Sequence, residues 1–339
     1  MLPSDTTAKS LVLVTGAAGA VGPRVVQTLH DAGYRVRALS RAAPPVGLLP
    51  MGVEVRLGNV TDPAAVQAAM EGVEAVIHLA AVLHFINPPR TLRGEYERIN
   101  VGGTAAVVAA ALQADVRRVV LFSTIAVYGP AGGRVLTEAT LPQPDTLYAQ
   151  SKLAAEQLVL LAGRRDGQPL GAVLRPGAVY GARVKGNYQR LVQALRRGRF
   201  IPIGDGRNRR TLIYDRDLAQ AAVLAAQHPA AAGQLYNVSD GHFHTLNQII
   251  NAICKALGRR PPRFSVPLGP ARMAAGLLEN GLRLLRQTSP IGSAVIDKYT
   301  EDVAVDSRRI QTELGFVPRF DLRMGWQETI REMRQNGAL

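Results

Sequence analysis

The stretch LVLVTGAAGAVG (11–22) decides the fold, because it joins a short apolar run to three regularly spaced glycines. LVLVT is apolar at every position but the last, as in a strand that is covered on both faces. Gly16, Gly19 and Gly22 follow with the spacing G-x-x-G-x-x-G, and PRVVQTLHDAG continues as a helix. A glycine turn lets backbone N–H groups approach a pyrophosphate, and the helix N-terminus adds a partial positive charge. The stretch therefore predicts a dinucleotide site at the first turn of a parallel sheet.

Further apolar runs alternate with helical patterns through the first half of the chain. The predicted strands are 11–15, 34–39, 53–57, 74–80, 117–123 and 171–175, and the predicted helices lie near 20–32, 63–71, 96–114 and 146–163. Strands that alternate with helices are typical of βαβ units with right-handed crossovers. The pattern predicts an α/β protein with a doubly wound parallel sheet.

After about residue 176 the chain is richer in Gly, Pro and Arg. Helices are predicted near 187–197, 215–228, 245–257, 270–286 and 322–335. We assign residues 1–175 to a dinucleotide-binding domain and 176–339 to a smaller substrate-binding lobe, with some segments returning to the sheet. Ligands of open α/β sheets bind at the carboxyl edge of the strands, so the lobe is expected to close a cleft there.

Composition excludes several classes of protein. The 339 residues are 47% hydrophobic, enough for a large core, but no run is long enough to span a bilayer, and MLPSDTTAKS resembles no signal sequence, so a cytoplasmic protein is expected. Cys254 is the single cysteine and lies in the apolar run IINAICKAL, which indicates a core position. The net charge of +14 comes from arginines scattered singly or in pairs. We interpret this charge as a compositional bias of the whole chain rather than as a nucleic-acid-binding surface. No metal site is expected.

The end of the second predicted strand bears on the choice of cofactor. It reads ALSRAAP, with Ser40 and Arg41 and no acid between 36 and 46. A carboxylate there would bind a ribose 2′-hydroxyl, whereas Arg accommodates a 2′-phosphate. NADP is therefore favoured over NAD, and Asn59 and Val60 after the third strand are placed to contact the adenine of either cofactor.

The stretch LYAQSK (147–152) places a tyrosine and a lysine one helical turn apart. Tyr148 and Lys152 are neighbours on a helix surface, so the ammonium can favour the ionised phenol. On the pair alone, a half-buried Tyr beside a Lys with a solvated head explains the spacing as well.

Motifs along nearly the whole chain resolve that ambiguity. They are TGAAGAVG (15–22), HLAA (78–81), NVGGT (100–104), FSTIAVYG (122–129), YAQSK (148–152), LRPGAVYG (174–181), RRTLIYDRDLA (209–219), YNVSDG (236–241) and VDSRRIQTELGFVP (305–318). In this order they resemble the extended short-chain dehydrogenase/reductase superfamily, which has the Rossmann fold, and within it the NAD-dependent epimerase/dehydratase family typified by UDP-glucose 4-epimerase.

The resemblance implies roles for individual residues. Tyr148 matches the general acid/base, Lys152 the residue that lowers the pKa of the phenol and holds the nicotinamide ribose, and Thr124 the helper hydroxyl, with Ser123 as the neighbouring candidate. His78 matches a position where the backbone contacts the cofactor, and Asn100 a residue that braces the active-site helix. The implied cofactor contacts are Gly16, Gly19, Ala20, Val21, Gly22, Ser40, Arg41, Asn59, Val60, Leu79, Ala80, Ala81, Asn100, Tyr148, Lys152, Pro176 and Val179.

The implied substrate contacts are Thr124, Asn187 and Arg210, the last two near the diphosphate of a nucleotide sugar. Ala178 and Asp215 depart from the family pattern, and Arg210 could instead pair with Asp215 or Asp217 on the surface of the lobe. The resemblance also implies a homodimer, formed through the helices near 96–114 and 146–163.

Three functions remain open from the sequence. The first is an NAD(P)-dependent 4-epimerase or 4-keto reductase of a nucleotide sugar. The second keeps the chemistry but acts on an apolar alcohol, as in 3β-hydroxysteroid dehydrogenases and dihydroflavonol reductases. The third is a dinucleotide sensor without turnover. The apolar stripe of the helix near 270–286 is interpreted as core, with membrane docking as a minor alternative. His242 and His244 lack a third candidate metal ligand.

Overall fold

The computed structural model describes residues 9–83, 92–284 and 293–339. Strands and helices are numbered separately in chain order. The strands are β1 (Lys9–Thr15), β2 (Tyr34–Ser40), β3 (Glu54–Leu57), β4 (Val73–His78), β5 (Arg118–Phe122), β6 (Val135–Leu136), β7 (Gly171–Pro176), β8 (Ala178–Tyr180), β9 (Arg209–Tyr214), β10 (Leu235–Val238), β11 (Phe243–Thr245) and β12 (Ala304–Val305).

The helices are α1 (Gly22–Asp31), α2 (Pro63–Ala69), α3 (Leu92–Glu95), α4 (Gly103–Gln113), α5 (Leu147–Leu160), α6 (Asn187–Arg196), α7 (Asp215–Gln227), α8 (Leu246–Leu257), α9 (Leu268–Leu284), α10 (Ser293–Thr300), α11 (Arg308–Leu314) and α12 (Leu322–Gln335). A π-helical segment, Tyr96–Gly102, joins α3 to α4, and short 3₁₀ turns lie at Ile125–Tyr128 and Pro229–Ala231.

Seven parallel strands form the main sheet in the order β10-β7-β5-β4-β1-β2-β3. One face is covered by α1, α7 and α11, and the other by α2, α4 and α5. Helices on both faces require strands that are apolar on both sides, as the sequence of β1 and β5 has. The predicted doubly wound parallel sheet is confirmed.

The strand order changes direction at β1, where β2 and β4 lie on opposite sides. A crevice opens at such a point outside the carboxyl ends of the strands, and the glycine turn follows β1 there. The segments after β4, β5 and β7 begin at the same edge, so the predicted site residues that follow these strands lie close together.

The second half of the chain contains strands that the sequence patterns did not predict. β10 completes the main sheet beside β7, and β8, β9 and β11 form a small sheet with β9 in the centre. These strands have three to six residues, too few for a clear alternation. The helix predicted over 96–114 is divided into the π-helical segment and α4.

The core of the lobe packs α6, α8 and α12 around the small sheet. Trp326 stacks on Tyr180 with ring centroids 4.5 Å apart, and Cys254 is buried there, as predicted.

The helix predicted near 270–286 corresponds to α9, and its last predicted residues, 285 and 286, lie outside the described residues. The domain boundary at 175/176 stays a prediction. No helix in the described part of the chain is long and apolar enough to cross a membrane.

Candidate active site

The glycine turn is shaped by close contacts that admit no side chain. Gly16 has a φ of +69°, and a Cβ there would lie 2.8 Å from the backbone nitrogen of Ala80. A Cβ on Gly22 would lie 2.4 Å from the carbonyl oxygen of Gly16. The turn is closed by a hydrogen bond from the Gly19 N–H to the Gly16 carbonyl, 2.9 Å long.

The start of α1 is suited to an anion. Ala20 and Val21 lead from the turn into the helix, and Val21 occupies the position where a polar residue would cap the first turn. A valine side chain has no acceptor, so it does not compete for the Gly22 N–H, whereas Pro23 has no N–H and the Arg24 N–H donates to the Val21 carbonyl at 3.0 Å. The first turn also contains no acidic residue. Turn and helix together therefore fit the pyrophosphate of a dinucleotide.

Two loops that follow β2 and β3 contain the residues predicted to contact the adenosine. The Ser40 hydroxyl donates to the Ala42 carbonyl at 2.7 Å, which fixes the bend after β2, and Arg41 is exposed beside it. After β3, the Asn59 side-chain oxygen accepts from the Thr61 N–H at 3.2 Å, and Val60 is buried. The ends of β2 and β3 are adjacent, because the Gly58 N–H donates to the Ser40 carbonyl at 2.9 Å, so the two loops start side by side, with Arg41 presented to solvent.

The segment after β4 lies against the end of β1. The N–H groups of Leu79 and Ala80 donate to the backbone and side-chain oxygens of Thr15, at 3.2 and 3.3 Å. His78 is buried, with Nδ1 2.6 Å from the Thr15 hydroxyl and Nε2 3.1 Å from that of Thr104. Burial, and then the charge of Lys152, lowers the pKa of His78 to about 3. The imidazole is therefore neutral and joins β1 and β4 to α4, while the backbone at 79–81 borders the crevice.

Asn100 lies in the π-helical segment and holds two elements at the site. Its side-chain oxygen accepts from the Val82 N–H at 2.7 Å, and its nitrogen donates to the Val82 carbonyl at 3.1 Å and to the Ser151 hydroxyl at 2.9 Å. Ser151 in turn donates to the Tyr148 carbonyl at 2.8 Å. Single-turn π segments are frequent at functional sites. Here the Asn100 side-chain amide links the backbone at Val82, which follows β4, to Ser151 in the second turn of α5.

Tyr148 and Thr124 meet at the carboxyl edge of β5. Thr146 caps α5 by accepting from the Ala149 N–H at 3.2 Å, which starts the helix just before Tyr148. Burial raises the pKa of the Tyr148 phenol to about 12, a hydrogen bond with Thr124 opposes that rise, and Tyr96 adds to it. The phenol is therefore protonated at neutral pH, and its hydrogen-bond partner is the predicted helper hydroxyl.

Lys152 follows one turn later on α5 and is 3% exposed. Burial lowers the pKa of its ammonium to about 8, and the charge of Glu156 opposes this. The ammonium therefore stays charged at neutral pH. The lowering of the phenol pKa by Lys152 that the resemblance implied stays a prediction.

Ser123 faces away from Tyr148 into a buried network. Its hydroxyl donates to the Glu156 carboxylate, which also accepts from Arg175 Nε at 2.9 Å and Nη2 at 2.5 Å. The Arg175 guanidinium lies over the Tyr128 ring, 4.6 Å from its centroid. Of the two candidate hydroxyls, Thr124 therefore contacts the phenol and Ser123 supports the ion pair beneath the site.

Glu156, Arg175 and Tyr128 were not among the residues predicted for the site. A signal for Glu156 was present, because it lies four residues after Lys152 and would share its helix face. Arg175 and Tyr128 could not be placed without the fold, since they come from β7 and a 3₁₀ turn.

The predicted substrate residues lie on the lobe. Asn187 begins α6 and is exposed. Arg210 lies in β9, where its Nη2 donates to the carbonyls of Lys298 and Tyr299 at 2.7 and 2.8 Å. Its charge also acts on the phenol of Tyr188, the residue after Asn187. Asn187 and Arg210 therefore belong to one region.

The alternative pairing of Arg210 with nearby acids is wrong. Asp215 contacts Arg24 Nε at 3.4 Å, and Asp217 accepts from the N–H groups of Arg319 and Phe320 at 3.0 and 3.1 Å. Both carboxylates therefore serve contacts with other parts of the chain.

Close to this region, a cavity of about 540 Å³ is lined by residues from the loop before β9 and the segment before α9. Its lining includes Ile203, Gly204, Asp205, Gly206, Ser265 and Leu268. On the sheet side, Pro176 ends β7, and Ala178 and Val179 lie in β8.

The histidines of GHFHT serve a local contact. His244 Nε2 lies 2.6 Å from the Asp240 carboxylate, and its ring centroid is 6.1 Å from that of His242. Among the described residues, no group of three or more His, Cys, Asp or Glu side chains could hold a metal ion.

The model of the NAD dependent epimerase/dehydratase family matches residues 12–239. The chain belongs to this family. The match includes the glycine turn, the Tyr148/Lys152 helix and β10, so it spans both the crevice and the central sheet. Members of the family are NAD-dependent enzymes of the short-chain dehydrogenase/reductase type, and the chain is accordingly an enzyme of this type.

Relatives within the family differ in their substrates. The chain is 28% identical to a UDP-glucose 4-epimerase from Vibrio cholerae over 99% of each chain. It is 31% identical to a 3 beta-hydroxysteroid dehydrogenase/Delta 5-->4-isomerase from Mycobacterium tuberculosis, over 79% of this chain and 75% of that protein. Among solved structures, MoeE5 in complex with UDP-glucose and NAD is 30% identical, with a TM-score of 0.75 and coverage of 96% of this chain and 99% of the other.

Proposed function

We propose that this family member transfers a hydride between a bound nicotinamide dinucleotide and a secondary alcohol or ketone, with Tyr148 as the acid/base group. The observation that carries this proposal is the hydrogen bond between Thr124 and the Tyr148 phenol, with buried Lys152 one turn away. A dinucleotide sensor would have no need of this set, so turnover is favoured over sensing.

Each group has a defined task in the proposed reaction. In reduction, the phenol O–H of Tyr148 gives its proton to the ketone oxygen while the carbonyl carbon accepts a hydride, and in oxidation both move in reverse. The bound dinucleotide supplies or accepts the hydride. Thr124 donates a hydrogen bond to the substrate oxygen as charge develops there. If the keto form is retained, turned and reduced on its other face, the net reaction is epimerisation.

We propose a nucleotide sugar as the substrate, acted on as a 4-epimerase or 4-keto reductase would act. The relatives named for UDP-glucose and the cavity beside Gly204-Asp205-Gly206 support it. Arg210 and Asn187 would then hold the diphosphate, because a dehydrated diphosphate needs charge-assisted hydrogen bonds.

An apolar alcohol is the second candidate. It is favoured by the position of Arg210 Nη2, which donates to two backbone carbonyls and would have to leave them to meet a phosphate. The steroid dehydrogenase relative supports the same alternative.

For the cofactor, we propose NAD(P) with NADP favoured. Arg41 is exposed at the end of β2, where a 2′-phosphate would lie, and residues 36–46 contain no acid. MoeE5, with NAD in its structure, is the comparison that supports NAD instead.

We also propose a cytoplasmic homodimer that pairs α4 and α5 with their copies. Ala109 on α4 is exposed, and Leu161, the residue after α5, is 85% exposed. Light scattering at micromolar concentration measures the mass directly, and a monomer would contradict the dimer.

The deciding experiment follows the reaction itself. The purified protein is incubated with NAD or NADP and either UDP-glucose or a 3β-hydroxysteroid, and products are identified by mass spectrometry and NMR. Tyr148→Phe should keep the fold and cofactor binding but lower the rate at least about a hundredfold. Tyr34→Phe, at a residue on β2 remote from α5, is the matched control. If the rate of Tyr148→Phe stayed within a few-fold of wild type, the acid/base assignment would be wrong.

A further inference from the structure

The excess positive charge of the chain is concentrated in two segments. Residues 167–204 contain 7 Lys or Arg and residues 241–278 contain 5, and neither segment has any Asp or Glu. These two segments therefore carry 12 of the 14 net positive charges. Several exposed arginines elsewhere pair with nearby acids, as Arg331 does with Glu328 at 2.5 Å. A uniform compositional bias would not exclude Asp and Glu from two long segments.

The fold brings the two segments together. The apolar sides of α6 and α8 share the core of the lobe, so their C-terminal ends lie side by side. A Cβ on Gly198, just after α6, would lie 3.7 Å from Arg259 Nη1, just after α8. Six exposed arginines occupy this junction and the following segment: Arg196, Arg197, Arg199, Arg259, Arg260 and Arg263.

Large apolar side chains are exposed on the adjoining segments. Ile203 pairs with Val266 as in a parallel bridge, and the Val266 N–H donates to the Pro202 carbonyl at 2.9 Å. Two positions earlier on each segment, Ile201 is 63% exposed and Phe264 is 84% exposed. The chain thus presents two large apolar groups at the same register, next to the arginines.

Helix α9 follows this segment in the chain, and its apolar residues show a reversed burial pattern. Its inward side chains include Ala271 and Ala275, which are 9% and 5% exposed. Met273 and Leu277 lie two positions further on, on the opposite side of the helix, and are 67% and 69% exposed. A helix that only covers a core places its large apolar residues inward. α9 buries alanines and exposes methionine and leucine, so the earlier interpretation of these two residues as core is wrong.

We propose that this face docks on an anionic membrane surface. The basic-apolar face is defined by Arg196, Arg197, Arg199, Arg259, Arg260, Arg263, Ile201, Phe264, Met273 and Leu277. Cations attract anionic headgroups, and apolar side chains enter the boundary between headgroups and acyl chains. Nucleic acid would satisfy the arginines but would leave the aliphatic groups in water. The combination therefore favours lipid.

Docking would also place the cavity of the lobe near the lipid. Ser265 and Leu268 line that cavity and come from the same segment as Phe264. A substrate with an apolar portion could then pass between bilayer and cavity without crossing water. Membrane binding itself does not depend on which substrate is used, so it can be tested apart from the reaction proposed above.

The test measures binding of the full chain to vesicles by flotation. Vesicles of phosphatidylcholine alone are compared with vesicles of equal parts phosphatidylcholine and phosphatidylglycerol. Wild type should bind the anionic vesicles and lose binding as salt rises. Each Arg near an anionic surface contributes about 1 kcal/mol, so Arg260→Gln/Arg263→Gln should weaken partitioning about thirtyfold. Arg35→Gln/Arg165→Gln removes the same charge from exposed sites in the dinucleotide-binding half and should bind nearly as wild type.

The apolar contribution is tested by Phe264→Ser/Met273→Ser, which should weaken partitioning at least about tenfold. Leu141→Ser/Met51→Ser is its control, because those side chains are 80% and 92% exposed in the other half of the chain. Failure of wild type to bind anionic vesicles would refute docking, as would equal losses in face and control variants. The protein could instead bind a DNA or RNA duplex tightly, in a way that depends on Arg260 and Arg263, and not bind vesicles. That result would refute membrane docking and identify nucleic acid as the ligand of this face.

Discussion

Replacing Glu156 with Gln should destabilise the protein far more than an ordinary surface substitution. The side chains of Glu156 and Arg175 are 2% and 4% exposed, and two hydrogen bonds of 2.9 and 2.5 Å join them. Gln keeps the shape but removes the negative charge, so the Arg175 guanidinium is left buried with the Tyr128 ring as its remaining electrostatic partner. Breaking a buried ion pair from one side costs about 3–5 kcal/mol.

Urea unfolding followed by circular dichroism measures this cost. Glu95→Gln is the matched control, because Glu95 also receives two hydrogen bonds from one arginine, Arg98, both 3.0 Å long. That pair is 45% and 51% exposed, so its loss should cost about 1 kcal/mol or less. The two substitutions change the same chemical group and differ mainly in burial.

A double substitution separates the buried charge from the packing. Glu156→Leu/Arg175→Met removes both charges and should recover most of the stability that Glu156→Gln loses, since an ion pair replaced by apolar groups of similar volume is often neutral. A cost for Glu156→Gln within about 1 kcal/mol of the control, or a double variant less stable than the single one, would refute this account.

The remaining predictions concern the proposed site. Arg41→Ala should weaken the binding of NADP more than that of NAD in fluorescence titrations. Equal losses of affinity for the two cofactors would contradict a contact between Arg41 and a 2′-phosphate. Arg210→Ala should raise KM for a UDP-sugar about tenfold or more while kcat falls less, because the diphosphate is remote from the reacting carbon; unchanged kinetics would favour the apolar alcohol. If charged Lys152 is the active form, kcat/KM should be level below pH about 8 and fall tenfold per pH unit above it, and a plateau continuing to pH about 10 would contradict that role.

The main sheet could be predicted because its signals are local. Continuous apolar runs gave β1 and β5, and the glycine turn followed by a helix marked the crevice. β10 has four residues and lies far along the chain from its partner β7, so no local pattern distinguishes it from a loop. Its place follows from the hydrogen bonds of the assembled sheet.

The candidate site was predictable where a motif fixes the spacing. Tyr148 and Lys152 share one helix, and Thr124 follows the neighbouring strand. The support beneath them was not predictable in the same way, because Arg175 reaches Glu156 from a different strand. A buried charge needs a partner, but the sequence does not say which of many arginines supplies it.

The meaning of the charge distribution could not be predicted from the sequence alone. In the sequence, the arginines occur singly or in pairs, which indicated a uniform compositional bias. The absence of acids from 167–204 and 241–278 is visible in the sequence, yet its meaning depends on α6 and α8 lying side by side. Periodicity reports which side of one helix is buried, but not which ends of two helices meet.

The pKa values at the site bear on the direction of the proposed reaction. At neutral pH the Lys152 ammonium is charged and the Tyr148 phenol is protonated, since their pKa values are about 8 and about 12. With Tyr148 as the acid/base group, the protein alone is therefore ready to protonate a ketone oxygen during reduction. Oxidation needs the phenolate, and the Thr124 hydrogen bond only partly offsets the effect of burial. A positively charged ligand near the phenol would lower its pKa, and the nicotinamide ring of an oxidised dinucleotide carries that charge. Binding of the oxidised dinucleotide should therefore lower the pKa of Tyr148, and binding of the reduced dinucleotide, which lacks that charge, should lower it less.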